Sequence, residues 1–255
     1  MHSEIYLTTQ KPNPKSVAYY CPQSLFYILF SPLMEDRLDR YLAEKVGKKY
    51  LTFYEGRNGI YHILKYLKKN FGSTRSFLPT EISPENSYSV IVACNKAGYE
   101  IVYYTGTPRG LKKNDVVILL DSSIRLPEYV FSIQDNARNA LMPAKRYDFT
   151  LYSFAIGKPI PGPRGGVVVV NKKRVDGFLK VGRLLVAPDP FTETKSYLRY
   201  LLFYKIKNYQ LLRRLMHWEL LFRYVKGNDF THEIIVNDNY SMCSVSKKIV
   251  SVLLK

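Results

Sequence analysis

From Met34 to Lys45 apolar and charged residues alternate at the spacing of an amphipathic helix, and Gly47 is placed to stop it. A short β-like run follows from Lys49 to Tyr54. Gly56-Arg57-Asn58-Gly59 then turns the chain into a second helix, Ile60 to Lys69, whose apolar positions are Ile60, Ile63, Leu64 and Leu67. Residues 71 to 76 read as a loop, and Ser89 to Ala97 as a helix ended by Gly98. Apolar runs at Glu100–Tyr104, Asp115–Leu120, Tyr129–Ile133, Phe149–Phe154 and Gly166–Val170 predict strands. Short apolar strands alternating with helices, with few hairpin turns, predict an α/β fold of three layers: a mainly parallel sheet flanked by helices. Ligands of such sheets collect at the carboxyl ends of the strands. The Gly56 turn, Asp135 and Lys158 each follow a predicted strand.

Beyond residue 170 the pattern changes. Residues 171–227 carry thirteen Lys and Arg against four Asp and Glu. Tyr197 to Val225 reads as a helix with an apolar stripe at Leu198, Leu202, Ile206, Tyr209, Leu212, Met216 and Leu220, interleaved with basic residues. Such a stripe packs on its own domain or on a partner copy more often than on a membrane surface. The expected organisation is an α/β core over 1–170 and a basic, largely helical extension over 171–255 that completes it and makes dimer contacts.

Composition narrows the class. With 255 residues, 46% of them hydrophobic and 14% aromatic, the chain can bury a full core and is not disordered. A formal charge of +17 attracts anions such as phosphorylated metabolites, nucleic acid or acidic membranes. Cys21, Cys94 and Cys243 are scattered, and the four histidines lack ligand spacing, so no metal site is expected. With no signal-like N-terminus and no long uncharged apolar run, a reduced cytoplasmic setting is the expectation.

One stretch carries chemistry. Lys158 lies five residues after Ser153 and just before Gly165-Gly166 and a strand. A lysine there suits a covalent link to pyridoxal 5'-phosphate, and Pro159 keeps it off helical backbone. That cofactor also needs a carboxylate to keep its pyridine nitrogen protonated and donors for its phosphate. Asp135 is the carboxylate candidate, with Asp121 its rival. Ser153 and the Gly56-Arg57-Asn58 turn are the phosphate candidates. Each also has an ordinary structural explanation as a turn, a cap or a surface charge.

Taken in order, the segments resemble the DegT/DnrJ/StrS family of sugar aminotransferases, of the fold type I pyridoxal phosphate enzymes. The matching blocks are Leu42 to Tyr50 with Gly56 to Ile60, Leu78-Pro79 through Gly98-Tyr99, Asp135-Asn136-Ala137, Asp148 through Ser153, Lys158 and Gly165-Gly166, and Asn239-Tyr240-Ser241-Met242. The resemblance implies that Lys158 forms the aldimine and moves the proton, and that Asp135 pairs with the pyridine nitrogen. It further implies that Ser153 and Gly56 to Asn58 bind the phosphate, and that Asn239 reaches the phosphate of a neighbouring subunit in a homodimer. Arg138 stands where the family has glutamine or histidine near the cofactor ring, and Arg57 where it has threonine. The implied reaction is amino transfer from a donor such as glutamate to an anionic keto sugar, nucleotide-linked. The resemblance covers the family's large domain; its C-terminal small domain has no counterpart in these residues.

Two alternatives stand beside this. One keeps the cofactor but has lost the reaction. The other is a non-catalytic module using its basic 171–227 segment on nucleic acid or an anionic surface, although no nucleic-acid motif supports it.

Overall fold

The computed structural model describes residues 33–47, 49–80, 84–120, 123–137, 146–154, 164–189, 191–192, 239–242, 246–247 and 250, with side chains from 38 and from 89 in the first and third helices. Lys158, Arg138, Asp121 and the expected helix Tyr197 to Val225 lie outside the described residues.

The elements in order are α1 (Leu33–Val46), β1 (Tyr50–Phe53), α2 (Gly56–Phe71), β2 (Arg75–Pro79), α3 (Pro84–Lys96), β3 (Glu100–Tyr104), β4 (Val116–Leu119), β5 (Phe131–Asp135), β6 (Phe149–Ser153), β7 (Gly166–Val170) and a 3-10 helix (Lys173–Leu184). The seven strands form one sheet in the order β1-β7-β6-β5-β4-β2-β3. The contacts β3–β2–β4–β5–β6 are all parallel, and β7 runs antiparallel to both β6 and β1. Six strands therefore point one way, and only β7 is reversed. Reversal brings the first residue of β7, Gly166, to the carboxyl edge of the others, between Phe53 and Ser153.

Strand alternation assigns the two faces. On one face Phe131, Ile133, Phe149, Leu151, Val168 and Val170 pack with Ile60, Ile63, Leu64 and Leu67 of α2, and the 3-10 helix adds Val175 and Phe178. The four α2 residues are at most 1% exposed, and burying each contributes roughly 1.5–3 kcal/mol. On the other face Leu38 and Leu42 of α1, one helical turn apart, cover Tyr152, Val167 and Val169. Farther along that face Phe77, Val117 and Leu119 are covered by Leu111, Ile124 and Leu126, which belong to no helix.

Several boundaries differ from the sequence reading. Residues 75–79, placed partly in a loop, are strand β2 between β3 and β4. With only Phe77 and Leu78 strongly apolar, β2 has no alternation to detect, and its fixed place comes from pairing on both sides. Helix α2 begins at Gly56 rather than Ile60. Strand β5 lies two residues later than expected, because Pro127 to Val130 forms a turn closed by Val130 N–H donating to the Pro127 carbonyl at 3.3 Å. Asp135 is therefore the last residue of the strand, not a residue beyond it.

Candidate active site

Three carboxyl-edge positions converge on the α2 side of the sheet. Gly56 opens α2 directly beneath the end of β6. A methyl group built on Gly56 would lie 3.5 Å from Ser153 Cβ and 3.6 Å from its Oγ. One built on Gly166 would lie 2.6 Å from Gly56 Cα and 2.7 Å from its nitrogen. Only a glycine at 166 lets the N-terminus of α2 come this close to the β6–β7 pair. Gly59 repeats this one turn on, where a methyl group would meet Val168 Cγ2 at 2.6 Å. Gly59, which the sequence offers as part of a turn, thus serves close helix-on-sheet packing.

The first turn of an α-helix leaves N–H groups without intrahelical partners and carries partial positive charge. In α2 this end faces Ser153, a half-buried residue at the end of β6. The Glu55 carbonyl accepts the N–H of Asn58 at 3.1 Å and of Gly59 at 3.4 Å, which fixes the turn. Gly56 and Ser153, two of the expected phosphate residues, are thereby brought together, whereas Asn58 is fully buried with its N–H on the Glu55 carbonyl.

Asp135 alternates onto the same face as Phe131 and Ile133, and Ser153 onto the same face as Leu151. Asp135 pairs in register with Leu151, two residues from Ser153 along β6. The Asp135 carboxylate accepts the Ala137 N–H at 2.9 Å through Oδ1, which anchors the side chain at the strand end. Behind it, on the opposite face, Asn136 hydrogen-bonds Tyr152; burial pushes the Tyr152 hydroxyl pKa up, and this bond opposes the rise.

The connection carrying Lys158 departs from this edge. Phe154 N–H donates to the Gly165 carbonyl at 2.8 Å, closing its base immediately after Ser153. Asn239 is exposed, and its carbonyl accepts the Val186 N–H at 2.9 Å. The next residue, Tyr240, accepts the Tyr54 N–H at 3.1 Å, so the Asn239 segment borders the residue that precedes Glu55.

The sequence reading missed the ionic part of the site. Glu55, half-buried just before α2, pairs through Oε2 with Arg57 Nε at 2.6 Å and through Oε1 with the Arg164 guanidinium. The Arg164 guanidinium also stacks 5.1 Å from the Tyr54 ring centroid, and the Arg164 backbone N–H donates to Ser246 Oγ at 3.3 Å. The charged pair flanking Gly56 was the available signal; nothing local tied Arg164, 109 residues away, to it.

Among the described residues no helix is long and apolar enough to cross a membrane, and no group of three or more His, Cys, Asp or Glu could hold a metal ion.

No family model matches the chain, and no curated protein matches it. Solved structures do. An aminotransferase of Helicobacter pylori involved in the biosynthesis of pseudoaminic acid matches with a TM-score of 0.48 and 15% identity, over 71% of this chain and 56% of that one. A DegT DnrJ EryC1 StrS aminotransferase of Brucella abortus matches with a TM-score of 0.45 and 13% identity, over 66% and 54%. A sugar aminotransferase of Micromonospora echinospora matches with a TM-score of 0.46 and 14% identity, over 71% and 59%. The chain spans little more than half the length of these structures. It is similar in structure to sugar aminotransferases of the DegT/DnrJ/EryC1/StrS type over about 70% of its own residues.

Proposed function

We propose that the chain binds pyridoxal 5'-phosphate at the carboxyl edge of its sheet and serves amino transfer to a keto sugar. The observation that carries this reading is the junction of Gly56, Ser153 and Gly166, with Asp135 on the same face one strand away. That donor set suits the group: helix N–H groups and a hydroxyl for a phosphate, and a carboxylate for a protonated ring nitrogen. Pyridoxal phosphate supplies an electron sink for the pair released when a C–H bond beside an amine breaks.

In this reading Gly56 and Ser153 hold the phosphate, with Arg57 and Arg138 adding charge near the ring and its phosphate. Asp135 holds the pyridine nitrogen protonated. Lys158, on the connection that springs from Ser153 and Phe154, bonds the cofactor and then carries the proton between substrate carbon and cofactor on its Nζ. Asn239 contributes to the phosphate seat of a second copy, so the working unit is a homodimer in the cytoplasm. A basic chain of +17 suits a nucleotide-linked sugar as acceptor, with glutamate as donor.

Borohydride reduction of protein incubated with pyridoxal 5'-phosphate, followed by peptide mass spectrometry, tests the reading. The expected result is an adduct at Lys158 and a visible absorption band lost in Lys158→Ala. An adduct spread over surface lysines, with no band, would overturn it. Light scattering at micromolar concentration tests the dimer.

A further inference from the structure

Glu55 is a carboxylate at the entrance to a seat that, on the reading above, takes a phosphate. Its charge opposes an incoming anion, yet each of its oxygens holds a different guanidinium. The two guanidiniums are anchored differently. Arg164 is also fixed by the Tyr54 ring and by the Ser246 hydroxyl on its backbone. Arg57 sits within the first turn of α2, one residue from Gly56, and reaches back to Glu55 through Nε. The side chains of Glu55 and Arg57 are 14% and 27% exposed, so their attraction is less screened than at an open surface.

We propose that Glu55 is an internal anion that competes with the phosphate of the ligand for Arg57, and that phosphate binding transfers Arg57 from Glu55 to the ligand while Arg164 keeps Glu55 paired. The exchange swaps one charge-assisted contact for another, so neither carboxylate nor guanidinium is left uncompensated. The device lowers affinity for small phosphates and leaves the seat to ligands with further contacts. It rests on the phosphate seat proposed above and concerns only this chain's own residues there.

Calorimetric titration of the full chain with inorganic phosphate tests it, on wild type, Glu55→Gln, Arg57→Gln and the double variant, each checked for folding by circular dichroism. The expected result is that Glu55→Gln binds phosphate about tenfold more tightly. Arg57→Gln should bind more weakly than wild type, and adding Glu55→Gln to it should tighten binding by much less than the tenfold that Glu55→Gln gives alone; an equal gain in both backgrounds overturns the competition for Arg57. Unchanged or weaker binding by Glu55→Gln overturns the competition while leaving the phosphate seat intact. If Glu55→Gln does not fold, Arg57→Gln decides alone: unchanged phosphate affinity overturns the transfer. Absence of phosphate binding in wild type overturns both the competition and the seat.

Discussion

Arg174 presents Nε and Nη2 to the two carboxylate oxygens of Asp148, each at 2.6 Å. Asp148 is 1% exposed and also accepts the N–H and hydroxyl of Ser132. Arg174 further donates to the Val130 carbonyl at 2.6 Å and lies 4.9 Å from the Phe131 ring centroid. One guanidinium thus ties the start of the 3-10 helix to the starts of β5 and β6, at the end of the sheet opposite the site. Arg174→Ala leaves a buried carboxylate without its cation, and we expect a loss of about 2–4 kcal/mol in urea unfolding at constant m. Cofactor affinity per folded molecule should not change. A loss under about 0.5 kcal/mol would show the pair to be dispensable.

Gly56 and Gly166 separate packing from binding. At 166 a methyl group would strike the Gly56 backbone at 2.6 Å, so Gly166→Ala must push α2 off the sheet; the expected cost is about 1–3 kcal/mol together with weakened phosphate binding. At 56 it meets Ser153 only at ordinary contact distance. Gly56→Ala should therefore melt close to wild type yet, on the proposed reading, bind phosphate more weakly, because the methyl group would occupy the proposed seat. Equal melting losses in both variants would contradict this division.

Asp135→Asn tests the carboxylate. On the proposed reading a neutral partner would no longer keep the ring nitrogen protonated, so the half-reaction with glutamate in stopped flow should slow by about 10²-fold or more, with Lys158 still able to bond the cofactor. An unchanged rate would move the role to Asp121.

Alkaline pH should weaken the fold through groups in the core. Burial pushes the Cys94 thiol up to about 11 from an ordinary 9.0, with the Ser76 hydroxyl opposing it, and pushes the Tyr99 hydroxyl up to about 12 from 10.0. Both folded-state values lie above the unfolded ones, so the folded chain holds these protons more tightly. Their contribution is complete below about pH 9 and is lost as pH rises from 9 towards 11 and 12. For Cys94 the loss is about 2–3 kcal/mol over that window. Urea midpoints from pH 8 to 11 should fall, and less steeply in Cys94→Ala. A slope unaltered by that substitution would exclude the thiol as a source.

The local pattern of apolar residues was enough to foretell an α/β fold. Runs such as Val116 to Leu119 and Gly166 to Val170 are buried on both faces and therefore apolar without alternation, and α2 shows its buried stripe at Ile60, Ile63, Leu64 and Leu67. Chain order also put Gly56, Asp135 and Ser153 at or near strand ends, but the resemblance, more than their spacing, singled them out as candidate site residues. Strand β2 was not, because Arg75 to Pro79 owes its extended form to two neighbouring strands rather than to its own residues. The reversal of β7, the contact of Gly166 with Gly56, and the hold of Glu55 on Arg164 were equally invisible. The last two join residues about a hundred positions apart, and only the assembled sheet brings them within reach; β7 lies next to β6 in the chain, but its direction is set by its pairing with both β6 and β1. Local spacing records which side a residue must bury; which distant charge or backbone it meets there is decided by how the strands are ordered.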